Sequence, residues 1–465
     1  MNRSQGLMDV APVPRSVLHR AKAAVCWWLE WDWLFWEQLA DWLLGREYPR
    51  VYGEGLVAEL ASAALPRYWP TPLLTPMYQT LAALKVRALA LNPEYRRMAL
   101  RPPAGGVFAV DLYRGLQEGL LPREAPVLLI LHGIVGSSAD GYAKSLCAAA
   151  FAAGFRPAVL NYRGCGGMPL DSPATFSAAF TGDAHFAADD LQRRFPGAPL
   201  LLAGFSMGAM QAAKLLAELG TGERVLGAPV AAAVLSSSPH DLGAMAQRLA
   251  SGRLLSAAFW CNEVIVGSLR AYARKHQAAL REGGVDTRAV ARARTLAQYD
   301  ALVTCKVFGY ARVADCYAAA HSGQHIPRIR TPTLLLSATD DLFVCGLPMA
   351  ECRANPFTVL ATTRRGGHCA HLQGVHLLGP TYMEDAAVGF FRAALATPLV
   401  LVAGRGEAAC RLLPSTARIV WDAVMQMTRV LANGRSRPAH LRRGRSPLAP
   451  ARPSNIGLHG PFAFA

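Results

Sequence analysis

Seven short apolar runs, separated by helix-like stretches, narrow the folds open to this chain. They are GGVFAVDLYRG (105–115), APVLLILHG (125–133), GFRPAVLNYRG (154–164), APLLLAGFS (198–206), AAAVLSSSP (231–239), TPTLLLSATDD (331–341) and FTVLATTRRGGH (357–368). A strand that reads as nearly continuous Val, Leu and Ala is buried on both faces, as in a parallel sheet. Helical stretches fall between them at 141–153, 183–195 and 208–219. That alternation implies βαβ units with right-handed crossovers. The expected fold class is therefore α/β, with a mostly parallel, doubly wound sheet. One connection breaks the rhythm. From about 240 to 330 a segment rich in Ala, Leu and Arg separates two strands, and a connection of that length usually serves a function. It is expected to form a helical cap over the carboxyl edge of the sheet, inserted before the strand that bears an acid.

The fourth run ends in a pentapeptide, Gly204-Phe205-Ser206-Met207-Gly208, with a strand pattern before it and a helix pattern after it. Such a turn holds a serine in a strained conformation with its hydroxyl exposed at the top of a sheet. Side chains at either glycine would collide with the neighbouring strand and helix. The helix N-terminus adds positive potential, and the Met207 N–H is placed to donate to an oxyanion. A serine hydroxyl needs a base to take its proton, and in this arrangement the partners follow in the order Ser, Asp, His. The sixth run ends at Asp340 and Asp341, and the seventh leads to His368 on a glycine-rich turn. Asp341 is assigned as the orienting acid and His368 as general base and acid, with Asp340 and His371 as the alternatives. The loop LHGIVGS (131–137) follows a buried strand, and its Ile134 N–H would complete the oxyanion hole with Met207. His132 is read as holding that loop through a ring hydrogen bond.

Taken together, these stretches resemble the α/β-hydrolase superfamily. The nearest branch is the YheT-like esterases, with plant embryogenesis-associated proteins, yeast medium-chain ethyl ester synthases and mammalian abhydrolase-domain phospholipases. The resemblance is carried by YWPTPLLTPMYQTL (68–81), LHGIVGSSADGYAKSL (131–146), VLNYRGCGGMPL (159–170), FTGDAHFAADDL (180–191), GFSMGAMQAAKLL (204–216), YDALVTCKVFGY (299–310), TPTLLLSATDD and RRGGHCAHLQG (364–374), over about 65 to 395. It implies a triad at Ser206, Asp341 and His368, and hydrolysis of medium- or long-chain lipid esters or acyl transfer to an alcohol. No cofactor is implied. Two positions depart from the family pattern. Leu342 follows the aspartate pair where proline is common, and Pro76 to Thr80 replace a stretch that usually has glycine. A rival pattern, His185 with Asp190 five residues on, has acyltransferase-like spacing but poor facing geometry on a helix, and is read as helix surface. A non-catalytic scaffold on the same fold is the reading from a different class, and the intact Ser, Asp and His count against it.

The rest of the chain bears on partners and location. Its 52% hydrophobic and 17% charged content is that of a folded protein. No uncharged apolar run reaches about 18 residues, the length that a membrane-spanning helix needs. The ten cysteines contain no CxxC pair, so neither metal spacing nor a disulfide framework is expected, and a reduced, intracellular compartment fits. Residues 24–44, AVCWWLEWDWLFWEQLADWLL, form an aromatic helix pattern with Glu30, Glu37 and Asp41 on one stripe. It suits a membrane surface or a packed helix equally. The net charge is +16, and residues 433–465 hold six arginines and no acid. That tail is expected to be disordered, and no nucleic acid is expected as partner because no aromatics are interleaved with its arginines and no recognition motif is present. The chain thus divides into an N-terminal extension (1–64), the hydrolase domain (65–395, cap about 240–330), a C-terminal helical extension (396–432) and the basic tail (433–465).

Overall fold

In the computed structural model, residues 45, 48–71, 74–114, 119, 121–254, 256–374 and 378–397 are described, with the backbone of 400–402 and 409–411. The Trp-rich pattern at 24–44 and the basic tail lie outside them. Nine strands form one sheet: β1 (Arg50–Tyr52), β2 (Glu94–Leu100), β3 (Phe108–Arg114), β4 (Val127–Leu131), β5 (Arg156–Asn161), β6 (Leu200–Phe205), β7 (Val230–Ser236), β8 (Thr333–Ala338) and β9 (Thr358–Thr363). Their order is β1-β9-β8-β7-β6-β4-β5-β3-β2. The six strands from β5 to β9 across the middle run parallel, while β1, β3 and β2 pair antiparallel at the two edges.

Strand alternation explains why both faces are covered. Along β4, Val127, Leu129 and Leu131 join one core cluster, and Leu128 and Ile130 join another on the opposite face. Successive side chains point to opposite sides of a sheet, so a continuous apolar run requires helices above and below. The first face is covered by Gly182–Arg194 and Met207–Thr221, through Ala187, Leu191, Leu215 and Leu216. The second is covered by Gly55–Ala64, Gly141–Ala152 and Tyr382–Ala396, through Val57, Leu146 and Phe390. From β4 the chain adds β5 on one side and then crosses back to add β6 on the other, which makes the carboxyl end of β4 a topological switch point where ligands bind in open α/β sheets.

Between β7 and β8 the chain builds a run of helices from Leu242–Ala250 to the 3₁₀ segment Ser322–Arg328, the longest being Ala257–Lys275. Past the last long helix, Val400–Val402 and Ala409–Arg411 pair antiparallel, where the sequence reading has helix from 396. The branched aliphatic triplet Val400-Leu401-Val402 favours a strand, and the intervening Gly404 and Gly406 disfavour a helix. Residues 412–432 lie outside the described set. Among the described residues no helix is long and apolar enough to cross a membrane.

Candidate active site

Ser206 sits at the break between β6 and the helix Met207–Thr221, with φ 53° and ψ −118°. A non-glycine residue in this region costs on the order of 1–3 kcal/mol, so the surroundings must hold it. Its N–H donates to Ser236 O at 3.0 Å, which ties the turn to β7. The flanking glycines are forced by close approach. A Cβ at Gly204 would lie 2.6 Å from Gly208 O, and one at Gly208 would lie 2.3 Å from Leu131 O.

His368 and Asp341 arrive from the carboxyl ends of β9 and β8. The Nδ1–H of His368 donates to Asp341 Oδ2 at 2.8 Å, and its Nε2 lies 2.9 Å from Ser206 Oγ. With Nδ1 donating to a carboxylate, Nε2 is left as the acceptor for the serine hydroxyl. The other Asp341 oxygen accepts the Phe343 N–H at 2.9 Å, which fixes the carboxylate. The loop that carries His368 is pinned by its own N–H to Thr80 Oγ1 at 2.8 Å and by Cys369 N–H to Ser237 Oγ at 3.0 Å. Burial is the largest single influence on the His368 imidazole and pulls it toward neutrality, but the Asp341 charge and hydrogen bond, with Cys369 beside the ring, together outweigh it and the pKa stands well above the usual value.

The alternatives are placed elsewhere. Asp340 accepts the Gly367 and Gly366 N–H groups at 2.9 and 3.3 Å, so it braces the His368 loop. His371 is fully buried, with its ring 5.8 Å from Tyr68 and 6.1 Å from Tyr382, and burial pushes its pKa down to about 4. His185 donates from Nε2 to Val225 O at 2.8 Å, while Asp190 accepts from Arg194 Nε at 2.5 Å. These two side chains serve separate partners on the helix surface.

The 131–137 loop lies against the serine, since a Cβ on Gly133 would stand 3.4 Å from Ser206 Cβ. Its Gly133 N–H donates to Tyr142 Oη at 2.9 Å, and that hydroxyl donates to Asp140 Oδ2 at 3.1 Å. Ile134 follows Gly133 in this loop, and Met207 opens a helix whose first N–H groups have no intrahelical acceptor. Both residues line the cavity above Ser206. His132 is fully buried and donates from Nδ1 to Gly133 O at 2.7 Å, while Nε2 accepts the Tyr162 N–H at 3.5 Å. Burial pushes its pKa to about 4, so it stays neutral and holds the loop. Beneath it, Asp111 accepts from Ser138 Oγ (2.6 Å), Asn161 Nδ2 (2.9 Å) and Arg97 Nη2 (2.7 Å). Sequence reasoning missed Thr80, Tyr142 and Asp111. Thr80 and Tyr142 do fall inside stretches that carry the family resemblance, and that was the available signal.

The serine opens into a cavity of about 520 Å³. Its walls are mostly apolar, with Met210, Met245, Ile265, Leu269 and Val303 among them, and several come from the helices between β7 and β8. The floor holds Ser206, His368 and Asp341. Such an arrangement can take a hydroxyl proton in a largely apolar site. Among the described residues no group of three or more His, Cys, Asp or Glu could hold a metal ion.

Residues 122–351 match the profile of the Hydrolase_4 family, described as serine aminopeptidase, S33. A monoacylglycerol lipase of Saccharomyces cerevisiae is 32% identical over 326 residues, covering 59% of this chain and 69% of the yeast protein. YheT of Escherichia coli is 30% identical over 301 residues, covering 64% and 84%. The mouse phospholipase ABHD3 is 28% identical over 304 residues, covering 64% and 72%.

Proposed function

We propose, from the premise that this chain belongs to the YheT-like abhydrolase branch of the α/β-hydrolases and is a carboxylic ester hydrolase, that it cleaves medium- or long-chain acyl lipid esters through an acyl-serine. Ser206 Oγ attacks the ester carbonyl and His368 Nε2 accepts its proton. Asp341 holds the imidazole in the Nδ1–H tautomer and stabilises the imidazolium that forms. The Ile134 and Met207 N–H groups receive the oxyanion. The alcohol leaves with the proton from His368, and water, activated by the same imidazole, then clears the acyl group. No cofactor enters these steps.

The observation that carries the reading is the relay Ser206–His368–Asp341, with contacts of 2.9 and 2.8 Å, at the floor of an apolar cavity. The lipid character of the substrate draws support from the cavity walls and from relatives named as a monoacylglycerol lipase and a phospholipase. The helices between β7 and β8 act as the cap that encloses the acyl chain. Replacing Ser206 with alanine tests the assignment. The variant should lose cleavage of a medium-chain nitrophenyl ester while keeping the wild-type melting temperature. Retained cleavage would place the nucleophile elsewhere.

A further inference from the structure

The mouth of the cavity is marked by residues that line it yet stay exposed: Leu81 at 42%, Trp260 at 47% and Val264 at 61%, with Lys85. They come from two different elements. One is the run Pro76–Leu81, Ala82–Val86 and Arg87–Ala90, helical throughout with a π turn in its middle. Its exposed side chains are Tyr78, Leu81, Lys85, Val86, Leu89 and Ala90. The other is the helix Ala257–Lys275, whose exposed positions in its first three turns are Trp260, Val264 and Ser268, spaced by four and so on one stripe. Leu89 is 89% exposed and Tyr78 is 55% exposed. Single exposed apolar residues are ordinary, but a set that rims an opening marks an interaction surface.

We infer that this rim docks on an anionic lipid bilayer, so that an acyl chain passes from the bilayer into the cavity without crossing water. The inference rests on the ester-hydrolase reading of the same cavity. Charge and composition select the occupant. From 65 to 93 the chain contains Arg67, Lys85 and Arg87 and no Asp or Glu. Arg87 is buried against Glu384 and Arg67 lies over the Tyr48 ring, which leaves Lys85 as the cation set among the outward Leu, Val and Tyr side chains. Apolar side chains with an interfacial aromatic and a cation are the composition of a surface that lies in the headgroup boundary of anionic leaflets. A second copy on the same rim would close the opening that the substrate needs.

Vesicle flotation of the full chain with phosphatidylcholine and with mixed phosphatidylcholine–phosphatidylserine vesicles tests the docking. The wild type should float with the mixed vesicles and less with the zwitterionic ones. The Tyr78→Glu/Leu89→Glu variant alters two exposed residues outside the cavity lining, so melting and hydrolysis of a soluble nitrophenyl butyrate should be unchanged. Its partition to mixed vesicles should fall about tenfold or more, and hydrolysis of a vesicle-embedded ester should fall in parallel. The idea is overturned if the wild type fails to float, or if the variant floats and cleaves vesicle ester like the wild type. It is equally overturned if the substitutions split a dimer without touching vesicle binding, since the rim would then belong to a second copy. Failure of the underlying ester reading would show separately, as wild-type protein inactive on the soluble ester.

Discussion

The Nε2 atom of His368 stands 2.9 Å from the Oγ of Ser206, although 162 residues separate them along the chain. The tautomer that makes this contact useful is set on the other side of the ring, where Nδ1–H donates to Asp341. Asp341→Asn keeps the shape but offers an amide that can face Nδ1 with its own N–H, which favours the wrong tautomer. We expect kcat to fall on the order of 10⁴-fold with little change in stability. Ester hydrolysis and a urea melt check both halves. A loss under about tenfold would mean that Asp341 does not orient the base.

The same contact fixes a pH dependence. Only the neutral imidazole can take the serine proton. Burial lowers the His368 pKa, yet the Asp341 charge and hydrogen bond, together with Cys369, outweigh it and raise the pKa above the ordinary value. The acid limb of kcat/KM should therefore lie above about 6.5, the ordinary imidazole value, with activity lost as pH falls through it. The Asp341→Asn residual activity should show that limb displaced to lower pH. A limb at or below the ordinary value in the wild type would contradict the assignment.

Gly208 has no room for a methyl group, because a Cβ there would meet Leu131 O at 2.3 Å. Gly208→Ala must push the helix off β4, and we expect destabilisation of roughly 1–3 kcal/mol or more, with activity lost as the turn shifts. Gly267 is the control. It lies within the helix Ala257–Lys275, and a Cβ there meets only Arg270 Nη2, at 3.9 Å. Gly267→Ala should raise stability by about 0.5–1 kcal/mol. Urea midpoints of the two variants give the comparison.

Cavity volume should govern chain length. Each enclosed CH₂ contributes roughly 0.8 kcal/mol, about fourfold in kcat/KM, until the acyl chain fills the cavity of about 520 Å³. Ile265 is a partly buried wall residue, and Ile265→Trp should move the optimum to shorter nitrophenyl esters while cleavage of the acetate stays near wild type. An unchanged chain-length profile would place the acyl group outside this cavity.

The central strands were legible because each is an apolar run bounded by glycine, proline or polar residues. β2 was not, since EYRRMAL has an exposed, charged pattern, and only its pairing with β3 makes it a strand. The helix Tyr382–Ala396 was also passed over, although Thr381 and Glu384 form a capping box at its start. In the site, Ser206, Asp341 and His368 were legible because each stands just beyond a strand, in a fixed order. The supports were not. Asp111, Asn161 and Ser138 come from three elements, and hydrogen bonds between distant segments leave no periodic trace in a sequence.

The central claim is that Ser206 is the one hydroxyl made nucleophilic here, and covalent labelling measures that directly. Incubation of the full chain with a fluorophosphonate, followed by digestion and mass spectrometry of the peptides, should find the adduct on Ser206 at one equivalent per chain. The label should be absent in Ser206→Ala and strongly slowed in His368→Ala. An adduct on any other residue, or labelling of Ser206→Ala at the wild-type rate, would contradict the account.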